Sequence, residues 1–145
     1  MFVMDIPTHK AFKPLREFAL SFHEAIEDFP FGHSVIKVKK KVFVFLGTNE
    51  DGRATIAVKL PHSGSRALDL SCSEPTGYGM GKSGWVTVAL GLEDTPSDQT
   101  LRIWIEESYR AVAPKRLTAK RDAEATAIEI KAGKLMKTKA HREQT

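Results

Sequence analysis

The chain of 145 residues has one cysteine, two tryptophans and two tyrosines, and no long hydrophobic run. The lone Cys72 can close no intrachain disulfide. No second cysteine or suitably spaced histidine accompanies it, so a reducing compartment suits the chain and a structural metal is not expected. Cys72 itself reads as a small, half-buried apolar residue. No window approaches the roughly eighteen apolar residues of a membrane span, and the start Met1-Phe-Val-Met-Asp-Ile-Pro7 lacks a charged segment followed by an apolar one. The expectation is a cytoplasmic protein with no membrane partner.

Catalytic patterns are missing as well. His9, His23, His33, His62 and His141 show no H-E-x-x-H or H-x-x-x-H spacing, and no serine sits in G-x-S-x-G. The carboxylate pairs Glu50-Asp51, Glu93-Asp94 and Glu106-Glu107 fall in turns or on a helix flank, where solvated surface is the default. No catalytic residue, cofactor or metal ligand is assigned, and a non-enzymatic protein is expected. Excess charge is absent from most of the chain too. Residues 1–114 carry 13 Lys and Arg against 14 Asp and Glu, whereas residues 115–145 carry 9 against 4, so the net charge of +4 resides in the tail. The isoelectric point is therefore no argument that the folded part binds nucleic acid.

What is present is organised around Pro75-Thr-Gly-Tyr-Gly-Met-Gly-Lys-Ser-Gly-Trp-Val-Thr-Val-Ala-Leu90, a glycine-rich loop running into a strand. It is no dinucleotide fingerprint, because a strand follows the glycines where a helix would be required. Upstream, Leu15, Phe18, Ala19, Phe22, Ala25 and Ile26 recur at three- and four-residue steps and predict a helix over 11–28, with Pro14 in its first turn and His23 on its solvated side. Val35–Val38 and Val42–Leu46 predict a hairpin with Lys39-Lys-Lys41 at its tip, Val42, Val44 and Leu46 on one face and Phe43 and Phe45 on the other. Asn49–Gly52 turns into a strand over 54–60. A short helix is expected over 65–72, capped by Ser63 or Ser65, then the loop, then a strand over 85–90. Thr95-Pro-Ser-Asp98 predicts a helix capped by Thr95, with Leu101, Trp104, Ile105, Ser108 and Val112 buried and Pro114 ending it. The chain reads as one α+β domain over 1–117, an antiparallel sheet with the first and last helices packed on one face. A basic tail over 118–145 follows, disordered or partly helical.

Taken in order, Asp28-Phe-Pro-Phe-Gly32, the strand pair 35–48, the polar-to-helical piece 61–72, the Gly-Tyr-Gly-Met…Trp85 loop and Ser108-Tyr109 in the last helix resemble the MmcQ/YjbR family over about Phe12 to Leu117. The resemblance implies a CyaY-like fold, also described as a double-wing DNA-binding motif, and a small DNA-binding protein. In that family the glycine loop commonly carries a basic, amide-rich His-Met-Asn-Lys-Arg-His run. Here Gly79, Gly81, Ser83 and Gly84 replace most of it and only Met80 and Lys82 remain.

Two sets of candidate residues follow. Lys37, Lys39, Lys40, Lys41 and Lys82, with Lys115 and Arg116 just ahead of the tail, are candidates for nucleic-acid phosphates. Edge protection is the competing account of the hairpin lysines. Phe31, Tyr78, Met80 and Trp85 are candidates for a pocket. Besides DNA, the partner classes left open are another protein, for an adaptor, and a small ligand or substrate in that pocket.

Overall fold

The computed structural model describes residues 12–30, 33–77, 79–124 and 126. By contacts the chain divides into two units, 1–113 and 114–145. The first unit is an α+β domain of helix α1 (Lys13–Leu20), strands β1 (Ala25–Asp28), β2 (Ser34–Val38), β3 (Lys41–Thr48) and β4 (Ala54–Lys59), helix α2 (Gly64–Leu68), strand β5 (Ser73–Pro75), a 3-10 turn (Met80–Ser83), strand β6 (Trp85–Ala89) and helix α3 (Asp98–Val112). The strands form one antiparallel sheet in the order β1-β2-β3-β4-β6-β5. Helices α1 and α3 pack on one face of it, as expected. In the second unit, residues 115–124 are helical.

Leu101, Trp104, Ile105, Ser108 and Tyr109 form the buried stripe of α3. The Ser97 hydroxyl, not Thr95, caps this helix, accepting from the Thr100 amide at 3.3 Å. Thr95 instead closes the preceding turn, donating to the Ala89 carbonyl at 2.8 Å and accepting from the Leu92 amide at 3.0 Å.

Three consecutive residues of α3 each tie down a different segment. The Glu107 carboxylate accepts from the His62 amide at 2.7 Å, the Ser63 amide at 2.9 Å and the Ser63 hydroxyl at 2.6 Å. The buried Ser108 hydroxyl donates to the Phe43 carbonyl at 2.6 Å and accepts from the Lys59 amide at 2.8 Å. The Tyr109 hydroxyl donates to the His23 carbonyl at 2.9 Å.

Two expectations are corrected at the N-terminal side. The first helix stops at Leu20 rather than Asp28, the chain turns through Glu24 at φ 61°, and Ala25–Asp28 pairs with β2 as an edge strand. Its inward position is Glu27, held by Arg16 Nε at 3.0 and 2.9 Å and by the Ser34 hydroxyl at 2.6 Å, while Ile26 faces out, 58% exposed. That reversed polarity erases the strand signal and leaves an apparent helical period. His23 accordingly lies in the turn, not on a helix.

The second correction concerns β3. Its register with β2 shifts between Ile36 and Lys37, paired with Val44 and Val42, so Phe43 is a bulged extra residue. The bulge turns Phe43 inward against Phe22, at 5.9 Å between ring centroids, and Tyr109, at 5.2 Å. Phe45 alone stays on the opposite face, against Trp85 at 5.2 Å. Phe43 and Phe45 thus do not share a face. The expected helix over 65–72 is likewise shorter, because the chain leaves α2 after Leu68 and returns as the edge strand β5. Ser63 precedes α2 without a side-chain cap bond, since its hydroxyl is committed to Glu107.

Two predictions test this scaffold. Ser108→Ala leaves the Phe43 carbonyl and Lys59 amide without their bridge, and urea unfolding should show a loss on the order of 2–4 kcal/mol. An unchanged midpoint would remove the bridge from any structural role. The second is a pH dependence. Hydrogen bonding to Arg16 first, then to Ser34, holds the Glu27 carboxyl below its ordinary value of 4.5 against the opposing effect of burial. A depressed folded-state pKa stabilises above the unfolded value and is lost as pH falls through the folded one. The stability difference between wild type and Glu27→Gln should therefore be constant above about pH 5 and shrink below pH 4.5.

Candidate functional site

Antiparallel pairing decides which lysines can act together. The β2–β3 tip, the C-terminal end of β4 and the N-terminal end of β6 all lie at one end of the sheet, because Val38 pairs with Lys41, Val44 with Val58 and Lys59 with Trp85. Lys40, Lys41 and Lys59 therefore share this end with Lys82 of the 3-10 turn, which immediately precedes β6. Lys59 was not among the sequence candidates. The alternation of Thr55, Ala57 and Lys59 opposite the inward Ile56, Val58 and Leu60 is the signal that places it on the face opposite α1 and α3.

The other hairpin lysines are engaged. Lys37 Nζ bonds Asp28 Oδ2 at 2.8 Å and Lys39 Nζ bonds Glu24 Oε1 at 2.9 Å. The bond to Lys37, then the Phe29 amide, lowers the Asp28 carboxyl below its ordinary value. Both acids flank or belong to β1, the strand that the sequence pattern hid. Lys40, Lys41, Lys59 and Lys82 have no carboxylate partner among the described residues. Lys115 and Arg116 open the helical residues of the second unit, both exposed.

The tip has a further peculiarity. Lys39 and Lys40 both adopt the left-handed conformation, φ 51° and 70°. Two-residue turns of this type strongly favour Asn-Gly, and a residue with a Cβ is strained there.

Across the face opposite α1 and α3 runs a shallow hollow of about 300 Å³, lined by His33, Phe45, Leu46, Gly47, Thr55, Ala57, Thr76, Gly77, Met80 and Thr87. Phe45 meets Trp85 edge to face, with rings at 67°. The Thr76 and Thr87 hydroxyls pair at 2.9 Å. Of the sequence candidates for a pocket, Met80 lines this hollow and Trp85 supports its aromatic wall, whereas Phe31 and Tyr78 lie outside the described residues. Phe45, Thr55 and Thr87 were missed, because only pairing partners reveal which residues of separate strands meet on one face.

The glycine loop serves as the rim. A Cβ at Gly81 would lie 2.7 Å from Pro75 Cβ, and Gly84 sits at φ 92°, so the short turn that presents Met80 and Lys82 requires glycine at both. The loop joins β5 to β6, strand to strand, through a short 3-10 turn rather than leading into an α-helix whose N-terminus could hold a pyrophosphate.

Elsewhere, titratable groups are structural. Burial pushes the Cys72 thiol up, away from a reactive thiolate. Glu107 and Asp94, expected on solvated surface, brace loops instead. Burial raises the Glu107 carboxyl, but the Ser63 hydroxyl and the Ser63 and His62 amides outweigh that and hold it below its ordinary value. Asp94 is lowered by the Ser71 hydroxyl, which donates to it at 2.6 Å, and it also accepts from the Cys72 amide. Among the described residues, no three His, Cys, Asp or Glu side chains gather where they could hold a metal ion. No described helix is long and apolar enough to cross a membrane.

An antiparallel sheet with two helices on one face, a shallow hollow on the other and a lysine-lined end defines a small α+β sheet protein. The YjbR family model matches residues 20–111, and the chain belongs to that family. A crystal structure of a protein from Pseudomonas syringae is similar in fold, with a TM-score of 0.54 at 20% identity over 68% of this chain and 96% of that one. No curated protein matches the chain.

Replacing Lys39-Lys40 by Asn-Gly should relieve the two left-handed lysines and raise stability by about 1–2 kcal/mol in denaturant titration. A destabilised double variant would show that the lysine contacts, Lys39 to Glu24 foremost, outweigh the backbone strain.

Proposed function

We propose that this protein is a non-enzymatic nucleic-acid-binding protein, with DNA as the first candidate, that contacts backbone phosphates through one end of its sheet. The observation that supports the reading is the gathering of Lys40, Lys41, Lys59 and Lys82 there from three segments of the chain, with no described carboxylate partner. Phosphate contacts need cations whose charge is not already neutralised internally, and this row gathers them at one end of a folded part that is close to neutral in sum. The left-handed Lys39-Lys40 turn adds weight, because strained residues cluster at functional positions and the strain here presents a lysine where asparagine or glycine would sit more easily.

A second reading, a protein partner docking beside β1, draws on Ile26 and Phe29, both large, apolar and exposed. The two readings separate in one experiment on the full chain. Fluorescence anisotropy against duplex DNA over a salt series should give a linear fall of log K with log salt, and Lys→Ala at positions 40, 41, 59 and 82 together should flatten it by about 0.9 for each phosphate that is no longer neutralised. A parallel Lys115→Ala, Arg116→Ala variant measures what these two residues at the start of the second unit contribute. An unchanged slope in the fourfold variant would remove the sheet end from DNA binding and bring the protein-partner reading forward.

A further inference from the structure

We propose that the hollow on the sheet face opposite α1 and α3 receives an unpaired base of a single-stranded nucleic acid, whose adjoining phosphate meets Lys59. The proposal rests on the nucleic-acid reading above and names the strand state that the site selects. Three features of the hollow carry it. First, its wall is aromatic and soft: half-buried Phe45, fixed edge to face by Trp85, stands on one side and Met80 on the other. That arrangement stacks on the face of any planar ring. Second, its floor is made low by small residues, Gly47 and Ala57, and is studded with hydroxyls. Thr76 and Thr87 pair with each other, but the Thr55 hydroxyl has no partner among the described residues, and the absent side chain of Gly47 leaves it uncovered, since a Cβ there would stand 3.7 Å from it.

An aliphatic group filling this space would strand the Thr55 hydroxyl, whereas a heteroaromatic base brings donors and acceptors on its edge. Third, Lys59 follows Ala57 on the same face, two residues or about 7 Å along the strand, and pairs directly with Trp85. Base and phosphate recognition thus lie side by side. A base inside a duplex cannot reach the hollow, because its faces are occupied by its neighbours in the stack.

The test uses the full chain and fluorescently labelled oligonucleotides of equal length: single-stranded DNA, single-stranded RNA of the same sequence, blunt duplex DNA and an abasic single strand. The expected order is intact single strand tighter than both duplex and abasic strand. Phe45→Leu, which keeps an apolar side chain in the wall, should weaken single-strand binding about tenfold while leaving duplex binding unchanged, in line with the loss of one base–aromatic stack. Met80→Ala, in the loop rather than the sheet, reads the opposite wall and stands in should the Phe45 variant melt below wild type. Tighter binding of the RNA strand would assign the base to RNA, and of the DNA strand to DNA. Equal affinity for intact and abasic strands, with both variants at wild-type values, overturns the hollow as a base site and leaves the lysine row standing. Absence of binding to all four probes overturns the nucleic-acid reading itself.

Discussion

The hydroxyl of Ser108 sits where the β3–β4 ladder would continue past Val44 and Val58, and it bridges the Phe43 carbonyl to the Lys59 amide. Everything that positions the candidate site depends on that insertion. The bulge at Phe43 leaves backbone groups that no strand can satisfy, and a buried unpaired amide or carbonyl is costly. A serine at the one point of α3 that reaches both strands resolves the conflict and fixes the helix on the sheet at the same time. Its neighbours extend the hold, Glu107 to the segment after β4 and Tyr109 to the turn before β1. One helical turn thereby fixes the strands at the end that carries Lys40, Lys41 and Lys59.

The aromatic residues divide between two tasks accordingly. Phe22, Phe43 and Tyr109 pack under the helices, with Phe22 and Tyr109 ring centroids 4.6 Å apart. Phe45 and Trp85 pack on the other face, opposite α1 and α3. A sheet that kept all of these rings inside would have no aromatic surface to offer a ligand. The bulge makes the division, since without it Phe43 and Phe45 would point the same way.

The legible parts of the sequence were those with a clear period. Strands β2, β4 and β6 and the buried stripe of α3 follow the alternation or the 3.6-residue repeat of their apolar residues, and the α+β class and the family follow from their order. What escaped was decided by partners distant in sequence. Strand β1 buries a glutamate because Arg16 and Ser34 receive it, and no local window contains both. Strand β5 is three residues long and ends in a proline. The lysines were visible as a cluster, but which of them are neutralised depends on Glu24 and Asp28 of the hidden strand's surroundings. The hollow was half visible through Met80 and Trp85, while Phe45, Thr55 and Thr87 come together only through strand register.

The bulge also bears on how this chain can change over generations. Side chains alternate with a period of two along a strand, so one residue inserted or deleted between Ile36 and Val44, other than the bulged Phe43 itself, would exchange the faces of everything beyond it. Phe43 already takes up the single extra residue that the hairpin tolerates, with Ser108 shaped to it. Substitutions at the tip are therefore easier to accommodate than changes in its length. Descendants of this sequence should vary in which residues occupy the β2–β3 tip far more freely than in how many there are.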